Sequence, residues 1–173
     1  DKEVIEMAAS ESGFSEELME NAELKAKNSF AYSLSSAANF SDGIGVNGLS
    51  VNEKLFLAQF QVIKEIGERG EGVIIGRCAD YVLKDIPGVT NAFIYGEYED
   101  RVKRAVEKYG VDKREADRIV SSYDKARENY YNYHTSRKWG EYRNYNLSID
   151  SSYISEEEAA NLIADYVERR TYR

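Results

Sequence analysis

Gly72-Val73-Ile74-Ile75-Gly76-Arg77-Cys78-Ala79-Asp80-Tyr81-Val82-Leu83 is the stretch whose reading decides the fold. Its first half is a short apolar run between glycines, with β-branched residues at its centre. Such a run reads as a strand buried on both faces, the kind found in parallel sheets covered by helices. It leads straight into Arg77, and residues 79–84 then read as a short helix stopped by Pro87, the only proline. A polar residue at the carboxyl end of a buried strand stands where open α/β sheets bind ligands. The expected class is therefore α/β.

Two more runs, 89–95 and 147–149, read as strands of the same kind. Helical periods separate them. Residues 51–69 follow a capping box, Ser50-x-x-Glu53, with Phe56, Phe60 and Ile63 on one face and Gly70 as a stop. Residues 97–109 place Val102, Ala105 and Val106 on one side. Ser155-x-x-Glu158 opens a last helix that carries Leu162, Ile163 and Tyr166. Three strands separated by helices imply a parallel sheet. Ahead of these lie a helix over 2–10 capped by Asp1, a more polar helix over 15–27, and a Ser/Ala/Asn/Gly-rich segment, 28–50, read as a loop or mobile flap. That segment holds Gly43-x-Gly45-x-x-Gly48. A dinucleotide site needs a strand just before this pattern, and residues 35–42 do not read as one, so a flexible loop is expected.

Composition narrows the function. The chain has 173 residues, 42% hydrophobic and 31% charged, which suits one domain over 1–173 with a real core. No apolar run approaches the length of a membrane span. Cys78 is the only cysteine, so no internal disulfide forms, which suits a cytoplasmic setting. With His134 the only histidine, a Cys/His zinc site cannot be assembled, and no metal ligands are assigned. The net charge of −8 argues against binding a nucleic-acid polymer.

Against that acidic background, residues 118–143 stand out. Arg118, Lys125, Arg127, Arg137, Lys138 and Arg143 face only Asp124, Glu128 and Glu141, a net of three positive charges. Tyrosines, His134 and Trp139 lie between them. Asp112-x-x-Glu115 starts a long helix that enters this stretch. Past Tyr130 the apolar period fails, so the chain is expected to leave the core and turn back near Gly140. A basic, aromatic segment in an acidic chain suggests a place where a compact anion is held. The competing reading is a solvated helix with tyrosines against a core, and the sequence leaves both open. Arg77, Arg101, Arg127 and Arg137, aimed at one cleft, would suit a polyanion, because guanidinium binds phosphate oxygens bidentately. Arg101 and Arg104 lie among Glu97, Glu99, Asp100 and Glu107. Surface pairs there would be worth about 0–1 kcal/mol. Arg104 is read that way, and Arg101 stays open.

The run Gly76-Arg77-Cys78-Ala79-Asp80-Tyr81-Val82-Leu83 resembles one found in the bacterial cytidylate kinase-like family. Asp124-Lys125-x-Arg127 and Tyr130-Tyr131-x-Tyr133-x-x-x-Arg137-x-Trp139-Gly140 look like that family's lid segment, and residues 146–152 like its last strand. The resemblance implies a three-layer P-loop-type parallel sheet flanked by helices, with a helical lid at about 112–143. It implies ATP-dependent phosphoryl transfer to a nucleoside monophosphate of the CMP or dCMP type, with ATP and Mg2+ as cofactors. Arg127, Arg137 and Asp124 would be catalytic, the aspartate orienting the arginine. Arg77, Asp80 and Asp1 would bind the acceptor, and Arg101 would meet the ATP. The implied partners are nucleotides, with no nucleic-acid polymer and no membrane, and exposed tyrosines are compatible with a homodimer.

No G-x-x-x-x-G-K-[ST] occurs in these residues. The family carries that phosphate loop ahead of the position of Asp1, so the resemblance implies that the first strand or strands and the loop are missing from this chain. One alternative is a nucleotide-binding or regulatory homologue without a phosphate loop. The other is a helical protein-interaction module.

Overall fold

The computed structural model describes residues 2–13, 15–16, 51–70 and 72–171. Asp1, the helix expected over 15–27 beyond residue 16, the segment 28–50 with its glycine pattern, and Ser50 lie outside the described residues. The chain divides into two compact units, the first containing the described residues up to Ile86 together with Tyr123–Trp139, the second Pro87–Ser122 and 140 onward.

In the first unit, α1 (Lys2–Ser12) packs on α2 (Val51–Arg69). Val4, Ile5 and Ala8 of α1 are buried, as are Leu55, Gln59, Val62 and Ile63 of α2. Both sets keep the three-to-four-residue spacing that puts side chains on one helix face. Gly13, at φ 75°, ends α1 through its N–H to the Ala9 carbonyl at 3.0 Å. A short helix, α3 (Ala79–Val82), lies against α2 at Gly67, where an added Cβ would come within 2.5 Å of Leu83. Cys78, Tyr130 and Tyr131 form a buried cluster flanked by Phe56, Tyr81 and Trp139.

In the second unit, β1 (Ala92–Tyr95) and β2 (Leu147–Asp150) form a parallel pair with Ala92 opposite Leu147 and Tyr95 opposite Asp150. At the entry to both strands, Asn146 N–H and Leu147 N–H donate to the Asn91 carbonyl at 2.8 and 3.2 Å. The unit also holds α4 (Tyr98–Glu107), a 3-10 turn (Tyr142–Asn144) and α6 (Glu156–Thr171). The Ser155–Glu158 capping box forms in both directions: Ser155 N–H reaches the Glu158 carboxylate at 2.7 Å, and Glu158 N–H reaches Ser155 Oγ at 3.2 Å. Helix α5 (Ala116–Thr135) begins in this unit and contributes its later turns to the first.

The α/β class and the parallel pairing agree with the sequence reading, with three corrections. The expected strand at 72–76 is an irregular segment without a ladder, with Val73 89% and Ile75 67% exposed. Among the described residues the sheet therefore has two strands, not three. Apolar composition records a preference for burial, but a strand exists only where a neighbour accepts its backbone hydrogen bonds. Asp112 and Glu115 do not close a capping box. Asp112 Oδ1 accepts from Arg114 N–H at 2.8 Å, and α5 starts one turn later with Ile119 N–H bonded to the Glu115 carbonyl. Finally, α5 does not leave the core after Tyr130. Tyr131 and Thr135 are buried as well, because the tyrosine hydroxyl and the threonine hydroxyl both find partners inside.

Candidate functional site

The site is built first by a strained turn. Gly76, Arg77 and Cys78 all have positive φ, at 71°, 56° and 57°. For a residue with a Cβ this conformation costs roughly 1–2 kcal/mol. It persists only where surrounding structure enforces it, and such strain collects at functional positions. Here Ala79 N–H closes on the Gly76 carbonyl at 3.0 Å, and Tyr81 and Val82 N–H both donate to the Cys78 carbonyl, at 2.9 and 3.0 Å. The turn buries Arg77 to 5% exposure and sets Asp80 in the first turn of α3.

Helix α5 supplies the second wall. At 100° per residue, Asp124, Arg127, Tyr131 and Thr135 fall within an arc of about 80°. Asp124 Oδ1 lies 3.9 Å from Arg127 Nη1, and the Arg127 guanidinium stands 5.6 Å above the Tyr123 ring. The Arg127 side chain is 46% exposed. One turn on, Tyr131 Oη donates to Asp80 Oδ2 at 2.6 Å, which joins the α5 stripe to α3.

After α5 the backbone is tied back on itself. Thr135 Oγ1 donates to the Tyr131 carbonyl at 2.6 Å and accepts from Arg137 N–H at 3.1 Å. Asn132 Oδ1 accepts from Trp139 N–H at 2.8 Å, and Ser136 between them has φ 55°. These bonds fix the start of Arg137, whose guanidinium lies 5.2 Å above the Tyr81 ring. Burial pushes the Asp80 carboxyl up from its ordinary range, and the Tyr131 hydroxyl, the Tyr81 backbone and the Arg137 charge pull it partly back. Asp80 and Arg137 thus sense each other without a direct ion pair.

Arg77, Asp80, Asp124, Arg127 and Arg137 all belong to the first unit. Asp80 and Arg137 are brought together around Tyr81 and Tyr131, and Asp124 and Arg127 stand on the same helix stripe. Tyr131 and Tyr81 stand in the quoted motifs, but the sequence reading gives neither a role at the site. The available signal was the four-residue step from Arg127 to Tyr131 to Thr135, which marks one face.

His134 plays a different part. Its ring stacks on Phe56 with centroids 4.0 Å apart and tilts against Tyr130 at 4.6 Å. Burial lowers its pKa to about 4, against a small opposing pull from Glu53. It is a neutral packing residue at pH 7.

In the second unit, Arg101 and Arg104 both donate to backbone carbonyls at the strand ends. Arg101 Nε donates to the Gly96 carbonyl at 3.0 Å and its guanidinium lies 5.6 Å from the Tyr98 ring centre. Arg104 Nη2 donates to the Ser151 carbonyl at 3.0 Å, and Ser151 N–H donates to the Tyr95 carbonyl at 2.7 Å. Both arginines therefore brace the carboxyl ends of β1 and β2. A hollow of about 550 Å³ lies between β2 and α6, lined by Ile149, Ile154, Leu162, Asp165, Tyr166 and Arg169 among others.

Among the described residues no group of three or more His, Cys, Asp or Glu could hold a metal ion. Nor is any described helix long and apolar enough to cross a membrane. The guanidinium groups of the first unit fit phosphate oxygens. The two carboxylates beside them, Asp80 and Asp124, are engaged with Tyr131 and Arg127 and are too few for a protein-built magnesium cage, which needs an octahedral array of oxygens.

Comparison with other proteins gives the same direction. A family model described as the cytidylate kinase-like family matches residues 1–153. No curated protein matches the chain. A crystal structure of an uncharacterized protein from Eubacterium ventriosum ATCC 27560 is 33% identical, covers 68% of this chain and 74% of its own, and superposes with a TM-score of 0.63. This chain therefore belongs to the cytidylate kinase-like family.

Proposed function

We propose that the chain handles nucleotides in a kinase reaction that moves the γ-phosphoryl of ATP to a nucleoside monophosphate, of the CMP or dCMP type. The observation that carries this reading is Arg137. Its guanidinium is held over Tyr81 beside Asp80 and forms no ion pair among the described residues. A cation placed in advance, with its nearest carboxylate not in direct contact, is what an incoming phosphate requires.

Bound ATP with magnesium would supply the transferable phosphoryl group and part of the charge neutralisation. The chain's own residues would do the rest. Arg127 and Arg137 would neutralise charge spreading over the phosphate oxygens, with Asp124 orienting Arg127. Arg77 and Asp80, carried by the strained turn, would hold the acceptor side. Asp1 stays in the acceptor set and Arg101 in the ATP set by family likeness alone. Residues 112–143 would close over the phosphates and expel water. The same reading implies nucleotides rather than a nucleic-acid polymer as partners, and a cytoplasmic setting.

The residues at hand contain no G-x-x-x-x-G-K-[ST], so binding and transfer are tested separately. CMP at about one hundred times its Kd would stabilise the folded chain by about 2.7 kcal/mol. For a chain of this size that is a rise in Tm of roughly 5–10 °C. Arg127→Ala and Arg137→Ala should each remove most of the rise. No rise with CMP, dCMP or ATP would refute the reading. A rise without formation of CDP would leave nucleotide binding and reject transfer by this chain.

A further inference from the structure

The geometry points to Tyr131 as a positioning residue that holds Arg137 through Asp80. The inference deepens the proposed function and rests on it for the ligand, but the geometric part stands on the free protein.

Three observations converge. Tyr131 is buried with its hydroxyl 2.6 Å from Asp80 Oδ2, a short bond of the length expected for an ionised acceptor. Asp80 and Arg137 interact electrostatically, and the Arg137 guanidinium lies over Tyr81, the residue that follows Asp80. The third observation is the backbone at 135–139. A left-handed serine and two side-chain-to-backbone bonds, from Thr135 and Asn132, fix where Arg137 begins. Any neutral oxygen would satisfy a buried tyrosine hydroxyl; here the acceptor is a carboxylate whose charge also reaches Arg137.

The Tyr131 hydroxyl stabilises the Asp80 carboxylate in a half-buried place where burial alone favours the neutral acid. The carboxylate charge then draws the Arg137 guanidinium onto the Tyr81 face. Without the hydroxyl, Asp80 takes up a proton more readily, the pull on Arg137 weakens, and the guanidinium samples more orientations. A phosphate would then meet a cation that must first be ordered, which lowers affinity.

The experiment has two arms. In the ligand-free arm, arginine side-chain Nε–H resonances are recorded by NMR for wild type, Tyr131→Phe and Asp80→Asn. The Arg137 signal, assigned with Arg137→Lys, should move and broaden in both variants while the Arg127 signal stays. In the ligand arm, CMP affinity is measured for Tyr131→Phe, Arg137→Ala and the double variant. Tyr131→Phe should weaken CMP by up to about tenfold, the cost of ordering one arginine side chain on binding. In the Arg137→Ala background the same change should have no further effect. An unmoved Arg137 signal, or full additivity of the two substitutions, would overturn the proposal. If Tyr131→Phe does not fold, Asp80→Asn decides the same question. If wild type binds no CMP, the functional reading fails, and the NMR arm alone still decides whether Tyr131 positions Arg137.

Discussion

His134 makes the structure testable by pH. Its folded pKa of about 4 lies below the ordinary 6.5 because burial against Phe56 and Tyr130 disfavours the imidazolium. The unfolded chain therefore takes up the proton first, so stability is full above pH 6.5 and is lost as pH falls toward 4. Across the whole window the loss is about 3 kcal/mol, at 1.36 kcal/mol per unit. Between pH 8 and pH 5 it is about 2 kcal/mol, worth roughly 4–8 °C in Tm. Asp80 works in the opposite sense: its raised pKa makes the fold relatively more stable in acid. The assay is therefore a difference, the pH dependence of denaturant unfolding for wild type minus that of His134→Phe, in which Asp80 cancels. The variant should lose about 2 kcal/mol less between pH 8 and pH 5. As the only histidine, His134 can also be followed directly by NMR of its ring protons. A ring that titrates between pH 6 and 7 in the folded protein would refute the packing described here.

Three smaller predictions test the local geometry. Ser155→Ala removes the cap of α6 and should lower stability by about 1 kcal/mol in thermal unfolding, with no effect on nucleotide binding. Thr135→Val removes a hydroxyl that serves both Tyr131 and Arg137 and should cost about 1–3 kcal/mol in urea unfolding, because the Arg137 amide loses its acceptor. Gly67→Val sets a side chain where Cβ alone would come within 2.5 Å of Leu83, so a loss of about 1–3 kcal/mol is expected.

Much of the fold is legible in the sequence. The β1 and β2 strands announce themselves as apolar runs between turns, and the Ser155 box and the α2 face follow from spacing alone. The segment 72–76 departs from its expected strand because Val73 to Ile75 show what it would bury, not whether a neighbour is there to pair with it. The tyrosine stretch was half-read. Its charge pointed to an anion, but Tyr131 buries itself by bonding to Asp80, fifty-one positions away, and no local pattern reveals that. The left-handed turn at Arg77 and Cys78 was invisible for a related reason. Neither residue type favours positive φ, so only the closed bonds of the turn account for it.

The central claim is that the arginines of the first unit meet nucleotide phosphate. The most direct test is the 31P resonance of CMP titrated with the protein. Wild type should shift and broaden the signal, Arg137→Ala should leave it at the free position, and Arg137→Lys should restore only part of the effect because an ammonium cannot bind bidentately. A 31P signal that wild type does not perturb, or that Arg137→Ala perturbs as fully as wild type, would contradict the account.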